Sequence, residues 1–245
     1  MMHRIVPLAV ILAVLGASMF SGLANARALQ SQDGSGTPSR TAGGHTFRPY
    51  TLVRISTPTN VAKWPNGPTM GTLSASTPLG SATWLWAVGR SIGGAWFQVV
   101  LPWRPNGLTG WIRRPADRTT IGISIRVDLS ERRLALDRRG RTMAAFPAGV
   151  GAARSPTPQG RFSVTDLVFT GDPQGPFGWF ALGLSGHQPS LPSGWSGGDQ
   201  LAIHGTNSPA SIGAAASAGC VHVSSRALAT LRRWAVLGTP VIVRG

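Results

Sequence analysis

Apolar and polar residues alternate in short runs along much of the chain, with the period of two that is typical of β-strands. Between Arg48 and Arg114 these runs lie at Tyr50–Ile55, Thr83–Val88, Trp96–Leu101 and Thr109–Ile112. Turn signals containing proline, asparagine and glycine separate them, at 65–67 and 104–107. Because no run in this region has a helical period, residues 48–117 are predicted to form a small β-barrel.

The second half of the chain is also predicted to be mainly β. Alternating runs lie at Ile121–Leu129, Arg133–Asp137 and Met143–Val150, and a proline-rich corner at 156–162 leads into a strand that continues through Val168. The one convincing helix covers Ser225–Leu237, since its apolar residues share a face, Ser224 or Ser225 can cap its start and Gly238 ends it.

A long segment rich in glycine and proline, residues 171–200, has no clear strand or helix pattern. Loops of this length in compact domains often have a function, so we expect a flap over an active site. An insertion without a role is the alternative.

The N-terminus has the pattern of an export signal. A short polar start is followed by the apolar run Ile5–Phe20 and by Ala24–Ala26, which fits a small-x-small cleavage site. Residues 1–26 are therefore predicted to be a signal peptide, and residues 27–47 a flexible linker. An uncleaved anchor is the alternative, but the run is shorter than the roughly 20 apolar residues of a membrane span. After cleavage, no stable membrane span is expected.

The chain is strongly basic, with 23 lysines and arginines against 8 acidic residues and a formal net charge of +15. In an exported protein this charge favours anionic polymers of the cell wall as partners. Nucleic acid is not expected, because the arginines are scattered and an export signal is present.

Candidate chemistry centres on Cys220, the only cysteine, which follows His204 by sixteen positions. A single thiol in an exported chain can form no internal disulfide, and a histidine can act as the base that activates it. A buried inert cysteine and a structural histidine are the alternatives. Gly219 would allow a tight turn in which the amides of Gly219 and Cys220 form an oxyanion hole, while the nearby helix start would stabilise the thiolate.

Other chemistries fit less well. The sequence Gly194–Gly198 matches G-x-S-x-G but lacks the flanking strand and helix of a nucleophile elbow. The sole lysine, Lys63, has Asn60 three positions earlier, which excludes the S-x-x-K motif of penicillin-binding enzymes. The spacing of His204, Cys220 and His222 matches no known zinc site. We therefore expect neither a metal nor a cofactor.

The segment Ile203–Val223, with His-Gly-Thr followed by Ser-Ala-Gly-Cys, resembles the signature of the L,D-transpeptidase (YkuD-type) family. The resemblance extends over the Thr157–Phe162 corner and the closing segment Gly238–Val243. It implies a catalytic β-sandwich with one C-terminal helix over residues 120–245. Before it, Ala95–Val99 and Thr109–Ile112 resemble a bacterial SH3-like domain, which makes 48–117 an SH3-like β-barrel.

In this family the cysteine is the nucleophile and the histidine is the base, which implies these roles for Cys220 and His204. The resemblance also implies that the Gly205 carbonyl orients the imidazole and that Ser217 forms a hydrogen bond within the cysteine turn. The expected substrate contacts are His222, Thr206, Trp179 and Phe180. The chain departs from the family pattern at Ala218 and His222, where family members usually have other polar or basic residues.

The function implied by the resemblance is that of an exported peptidoglycan L,D-transpeptidase at the cell-wall side of a bacterial envelope. It would form 3→3 crosslinks between stem peptides through a Cys220 thioester and would react covalently with carbapenems. Two alternatives stay open: an L,D-carboxypeptidase, which uses water as the acceptor, and a wall-binding protein whose catalytic domain has decayed.

Overall fold

The computed structural model describes residues 39–40 and 46–245. The predicted signal peptide and most of the predicted linker lie outside the described residues. Within the predicted linker, Ser39–Arg40 (β1) pairs antiparallel with Thr46–Phe47 (β2). In the described ranges, no helix is both long and apolar enough to cross a membrane.

Seven antiparallel strands form the first sheet, and the four runs predicted from alternation are all among them. The strands are Tyr50–Arg54 (β3), Thr59–Ala62 (β4), Thr69–Leu73 (β5), Trp84–Arg90 (β6), Trp96–Val100 (β7), Thr109–Arg113 (β8) and Arg118–Ile121 (β9). Their order in the sheet is β5-β4-β8-β7-β6-β3-β9. Alternate side chains, including Val53, Leu85 and Ile112, are fully buried on one face and form its core.

The predicted strand Ile121–Leu129 is divided at Gly122, which corrects the sequence interpretation. The residues before Gly122 pair with β3 in the first sheet, whereas Ile123–Asp128 (β10) belongs to the second sheet. A Cβ at Gly122 would lie 3.1 Å from the Arg139 side chain. The chain can therefore change sheets here because glycine allows the close approach of its neighbours.

Eight strands form the second sheet, which confirms the prediction of a mainly β chain with one helix in its described part. Besides β10 they are Arg133–Arg138 (β11), Arg141–Pro147 (β12), Gly160–Phe169 (β14), Phe180–His187 (β15), Gln200–His204 (β16), Val221–His222 (β18) and Pro240–Arg244 (β19). The order is β12-β11-β10-β19-β14-β15-β16-β18. The short strands Val150–Gly151 (β13) and Ala215–Ser217 (β17) pair separately, in parallel.

The prediction of a flap over residues 171–200 is wrong for the middle of this segment, because β15 lies there as a strand between β14 and β16. The glycines of β15, which suggested a loop, are required by packing. A Cβ at Gly186 would lie 2.5 Å from the Phe162 ring, and one at Gly183 would lie 3.1 Å from Asp166. Two loops, 170–179 and 188–199, are left on either side of the strand.

The helix Ser225–Trp234 (α1) starts where the sequence predicts and ends three residues early. The Ser224 side chain caps it by accepting a hydrogen bond from the Ala227 N–H at 3.3 Å. Leu228 and Leu231 are fully buried against the second sheet. The helix ends early because the Thr239 hydroxyl accepts the Val236 N–H at 2.9 Å.

The two sheets belong to one compact unit, and the contacts between them include an apolar cluster and several polar groups. Thr77 of the first sheet's loops donates to the buried Asp166 carboxylate at 2.5 Å, and Asn106 bonds to the backbone of His187. A cavity of about 450 Å³ lies between the sheets, lined on its two sides by residues that include Leu73, Trp84, Trp103, Asp166, His187 and Gln200. Neither Cys220 nor His204 lines this cavity.

Candidate active site

The turn that carries Cys220 is fixed by hydrogen bonds of Ser217, the residue for which the family resemblance implied a bond within this turn. The Ser217 hydroxyl donates to the Cys220 carbonyl at 2.6 Å and accepts the Gly219 N–H at 3.1 Å. Cys220 itself is partly exposed and has no disulfide partner. Among the described residues, the Cys220 N–H has no hydrogen-bond partner. Of the two amides predicted to form an oxyanion hole, the Gly219 amide is therefore engaged and the Cys220 amide is free.

Gly219 is required at its position by both its backbone and its neighbour. Its φ is +119°, in the region that favours glycine, and a Cβ there would overlap the amide nitrogen of Gln188. The Gln188 side chain occupies the space beside this glycine.

The Thr-Pro corner that the sequence analysis singled out holds the cysteine turn from the opposite side. The Thr157 hydroxyl donates to the Gly219 carbonyl at 2.8 Å and accepts the Gly151 N–H at 2.8 Å. Thr157 is 5% exposed, so both bonds are shielded from water. A corner distant in sequence thus fixes the conformation of the residue before the thiol.

His204 lies at the end of β16 and is 3% exposed. Its Nδ1 lies 2.5 Å from the Gly205 carbonyl oxygen, which can only accept, so Nδ1 carries the proton and Nε2 is left as an acceptor. Burial lowers the pKa of His204 to about 4, partly opposed by the bond to Gly205 and reinforced by nearby His222. At neutral pH the imidazole is therefore neutral, as a general base must be.

The parallel pairing of β16 with β18 places the candidate groups on one face of the sheet. Ile203 pairs with Val221 and His204 with His222, so that Cys220 lies opposite Ala202. Ile203 and Val221 point to the buried core. Since side chains alternate along a strand, Cys220, His222 and His204 share the other face. The rings of the two histidines are 4.8 Å apart.

The thiol differs from the sequence expectation of a stabilised thiolate. Burial raises the pKa of Cys220, and a hydrogen bond from the Ala202 backbone offsets this only in part. The resting side chain is therefore a thiol at neutral pH. Activation requires removal of its proton as the nucleophile attacks.

His222 is held by Ser211, which no sequence signal identified. The Ser211 hydroxyl donates to the Ser208 carbonyl at 2.7 Å, so it accepts from Nδ1 of His222, which lies 2.8 Å away. This leaves Nε2 of His222 without a proton. Burial lowers the pKa of His222, so this ring too is neutral at neutral pH. Thr206, another expected contact, is partly exposed and accepts the Ser208 N–H at 3.0 Å.

The aromatic contacts predicted from the flap need correction. Phe180 is 1% exposed and belongs to the core, so it cannot contact a substrate in this conformation. Trp179 is partly exposed and stacks on Phe180 with ring centroids 5.4 Å apart. Phe177, which the sequence analysis missed, lies edge-on to His204 at 5.0 Å and is 47% exposed. Its only sequence signal was its place in the glycine-rich segment.

The loop that carries Phe177 packs against Gly205, the residue after His204. A Cβ at Gly205 would lie 2.9 Å from Gly178 Cα and 3.1 Å from Leu228. Gly178 has a φ of +63°, and a Cβ there would in turn lie too close to the Gly205 backbone. The glycine of the His-Gly pair is therefore needed for packing as well as for its carbonyl. In the described part of the chain, no group of three or more His, Cys, Asp or Glu residues is arranged to hold a metal ion.

Comparison with known proteins places this site in a family. The YkuD family, described as the L,D-transpeptidase catalytic domain, matches residues 122–243. The YkuD protein of Bacillus licheniformis, named as a candidate L,D-transpeptidase, is 35% identical over 132 residues, which are 54% of this chain and 70% of that protein.

Two solved structures are similar at lower identity. The Bdellovibrio bacteriovorus protein Bd1075 is 22% identical, with a TM-score of 0.40 over 51% of this chain and about half (48%) of that chain. The L,D-transpeptidase LdtMt1, solved in complex with imipenem, is 16% identical, with a TM-score of 0.41 over 61% of this chain and 90% of that chain. From the family match and the Bacillus relative, we conclude that this chain belongs to the L,D-transpeptidase family and contains a YkuD-type catalytic domain.

Proposed function

We propose that the protein is an exported peptidoglycan L,D-transpeptidase whose Cys220 becomes acylated by the substrate. The observation that carries the proposal is the neutral imidazole of His204, whose Nδ1–H faces the Gly205 carbonyl and whose Nε2 is free to accept a proton. It shares one sheet face with a partly exposed thiol in a turn fixed by Ser217. A base, a nucleophile and a fixed turn together support acyl transfer.

The first half-reaction forms a thioester. Nε2 of His204 takes the proton of the Cys220 thiol as the sulfur attacks the carbonyl of the third residue of a stem tetrapeptide. The oxyanion that forms accepts a hydrogen bond from the free Cys220 amide. The carbon–nitrogen bond to the terminal D-alanine then breaks, and the leaving amine takes the proton from the His204 imidazolium.

The second half-reaction resolves the thioester. The side-chain amine of a diamino acid on a neighbouring stem attacks the thioester carbonyl, and His204 takes a proton from this amine. The carbon–sulfur bond breaks, the thiolate regains its proton from the imidazolium, and a 3→3 crosslink is released. Water in place of the amine would give a tripeptide, which is the L,D-carboxypeptidase reaction.

Because His204 is neutral and Cys220 is a thiol at rest, the two groups form a neutral pair rather than a preformed ion pair. The raised pKa of Cys220 means that attack and proton transfer are coupled. Acylation by carbapenems follows the same path, with the strained lactam carbonyl in place of the stem carbonyl. We assign Thr206, Trp179 and His222 to substrate contacts on the rim of this site.

The remaining parts of the chain support the location of the protein at the cell wall. We assign residues 1–26 to a cleaved export signal and the first sheet to an SH3-like wall-binding domain. The net charge of +15 favours association with anionic wall polymers. The protein would act on the outer side of the cytoplasmic membrane, where stem peptides are found.

A second candidate function is that of a wall-binding protein with an inert cysteine, and the raised pKa of Cys220 is the observation that favours it. The test incubates the chain from Arg27 onward with a disaccharide-tetrapeptide, beside Cys220→Ala, and analyses products and intact mass. We expect crosslinked dimer, free D-alanine and a transient thioester, none of them with Cys220→Ala. Tripeptide alone would indicate the carboxypeptidase, and absence of both products and adduct would indicate the binding protein.

A further inference from the structure

The side chain of Gln188 contacts both the cysteine turn and the Thr-Pro corner. Gln188 is 3% exposed, and its amide nitrogen faces the carbonyl oxygens of Ala218 at 3.1 Å, Pro156 at 3.0 Å and Ser155 at 3.2 Å. Its own amide oxygen accepts the Ser190 N–H at 3.0 Å. Every polar atom of the Gln188 amide thus has a protein partner. The amide therefore joins the loop after β15 to two other segments.

The chemistry of this position requires a neutral donor. Three carbonyl oxygens converge on one NH₂ group, and a carbonyl oxygen can only accept. A carboxylate of the same shape would place negative charge against them, and an apolar side chain would leave buried acceptors unpaired. Because the same nitrogen packs against Gly219, the residue immediately before Cys220, the amide limits where the turn can lie.

The residue before Gln188 is held by the first sheet. Asn106, in the loop between β7 and β8, donates to the His187 carbonyl at 2.7 Å and accepts the His187 N–H at 2.8 Å. The His187 ring lies between the Pro102 carbonyl, 3.2 Å from Nε2, and the Asp199 carboxylate, 3.1 Å from Nδ1. A loop of the first sheet is thus bonded to both the backbone and the ring of one residue.

The other side of Gln188 is fixed as well. The Gln188 N–H donates to the Asp199 carbonyl at 2.7 Å, and Asp199 forms an ion pair with Arg104 of the same first-sheet loop. The chain around Gln188 is therefore bound to the first sheet through its neighbour His187 and through Asp199. The side chain projects from this point onto the cysteine turn.

We infer that Gln188 is a positioning residue for Cys220, and that the first sheet holds it in place through Asn106. On this view the first sheet is part of the machinery that orients the nucleophile, in addition to any wall ligand it binds. The inference rests on the proposed function, since it assumes that Cys220 is the nucleophile. Misplacement of a reacting group by about 1 Å can lower a rate by about 100-fold.

The test compares Gln188→Met, which keeps the length of the side chain but removes the donor, with Gln200→Met as the matched control. Gln200 on β16 also donates to three acceptors, on Thr165, Asp166 and Leu184, and none of these lies in the cysteine turn. Two quantities are measured well below the melting temperature of each variant: kcat and KM for D-alanine release, and the pH dependence of Cys220 alkylation by iodoacetamide.

For Gln188→Met we expect kcat to fall by about 10- to 100-fold with little change in KM. We also expect the alkylation midpoint to move down toward that of an ordinary thiol, because a released turn exposes the sulfur. Gln200→Met should keep both values. A role confined to stability would lower the melting temperature and leave both readouts unchanged. That result, or kcat within about three-fold of the parent, would overturn the inference.

Asn106→Ala tests the link to the first sheet, with Asn60→Ala as the control, since in the described part of the chain the Asn60 side chain bonds to Thr72 of that same sheet. We expect Asn106→Ala to shift both readouts in the same direction as Gln188→Met, and the two effects to be non-additive in the double variant. Wild-type behaviour of Asn106→Ala would overturn the link. If the parent protein alkylates at Cys220 but releases no D-alanine, the proposed function fails while the alkylation readout still decides this inference.

Discussion

The buried, neutral His204 makes the stability of this protein depend on pH in a way that one substitution can isolate. The ordinary pKa of histidine is about 6.5, and burial lowers that of His204 to about 4. Between these values the unfolded chain binds a proton that the folded chain does not. The free energy of unfolding therefore falls as the pH drops through this window, and it is fully regained above the unfolded pKa.

The magnitude follows from the two pKa values. Each unit of separation corresponds to about 1.4 kcal/mol, and the change from pH 7 to pH 5 covers most of the window. His204 should then account for roughly 2 kcal/mol of stability lost between pH 7 and pH 5. In His204→Gln, which cannot titrate, this contribution is absent. His222 is present in both proteins, so its own contribution largely cancels.

The assay is urea unfolding of the parent and of His204→Gln at several pH values between 5 and 7, monitored by tryptophan fluorescence. We expect the difference in unfolding free energy between the two proteins to shrink by roughly 2 kcal/mol as the pH falls. Ser224→Ala is the control, because loss of the helix cap should cost about 1 kcal/mol at every pH. Parallel pH curves for the parent and His204→Gln would refute the reasoning.

Three further predictions concern the cysteine turn and the Phe177 ring that lies against His204. Ser217→Ala removes two hydrogen bonds of the turn and should lower kcat for D-alanine release by about 10- to 100-fold, whereas an unchanged kcat would show that the turn holds without them. Gly219→Ala should lower the free energy of unfolding by about 2 kcal/mol or more, and by more than Gly213→Ala, whose φ of +83° is also positive but which has open space around it. Phe177→Ala exposes His204, so the pKa of this histidine, followed by NMR, should rise toward its ordinary value, and an unchanged pKa would assign its burial to other groups.

Local patterns were sufficient for most of the strands and for the helix. The strands β6, β7 and β8 lie within two residues of the predicted bounds at every end, because alternation of apolar residues reports a half-buried strand directly. The start of α1 at Ser225 follows from the capping residue before it. The end of this helix was missed by three residues, since it depends on Thr239 bonding back to Val236, which no periodicity shows.

The main errors in the fold arose where glycine is needed for packing. The sequence predicts a loop where β15 lies, because the segment 171–200 is rich in glycine and proline and includes Gly183 and Gly186. Both glycines lie against side chains of other elements, so their presence reflects contacts across the sheet rather than a loop. Gly122 was included in a continuous strand for the opposite reason: alternation continues across it although the chain changes sheets there.

At the candidate site, the identity of the reacting groups was accessible from the sequence but their state was not. The single cysteine indicated Cys220, and the resemblance to the family signature implied His204 as its base. The raised pKa of the thiol, the burial of Phe180 and the contacts of Gln188 all depend on what packs around these residues. Burial results from the packing of elements that are distant in the chain, so a local sequence pattern does not predict it.

The sequence by itself therefore determined the mainly β character of the described chain, the helix start and the candidate nucleophile and base, because periodicity, caps and residue types act over a few positions. The tertiary structure alone decided the proton positions, the space around Gly219 and the link from Asn106 through His187 to the cysteine turn. These depend on strand register and on contacts between two sheets, which form only when residues more than eighty positions apart are brought within hydrogen-bond distance.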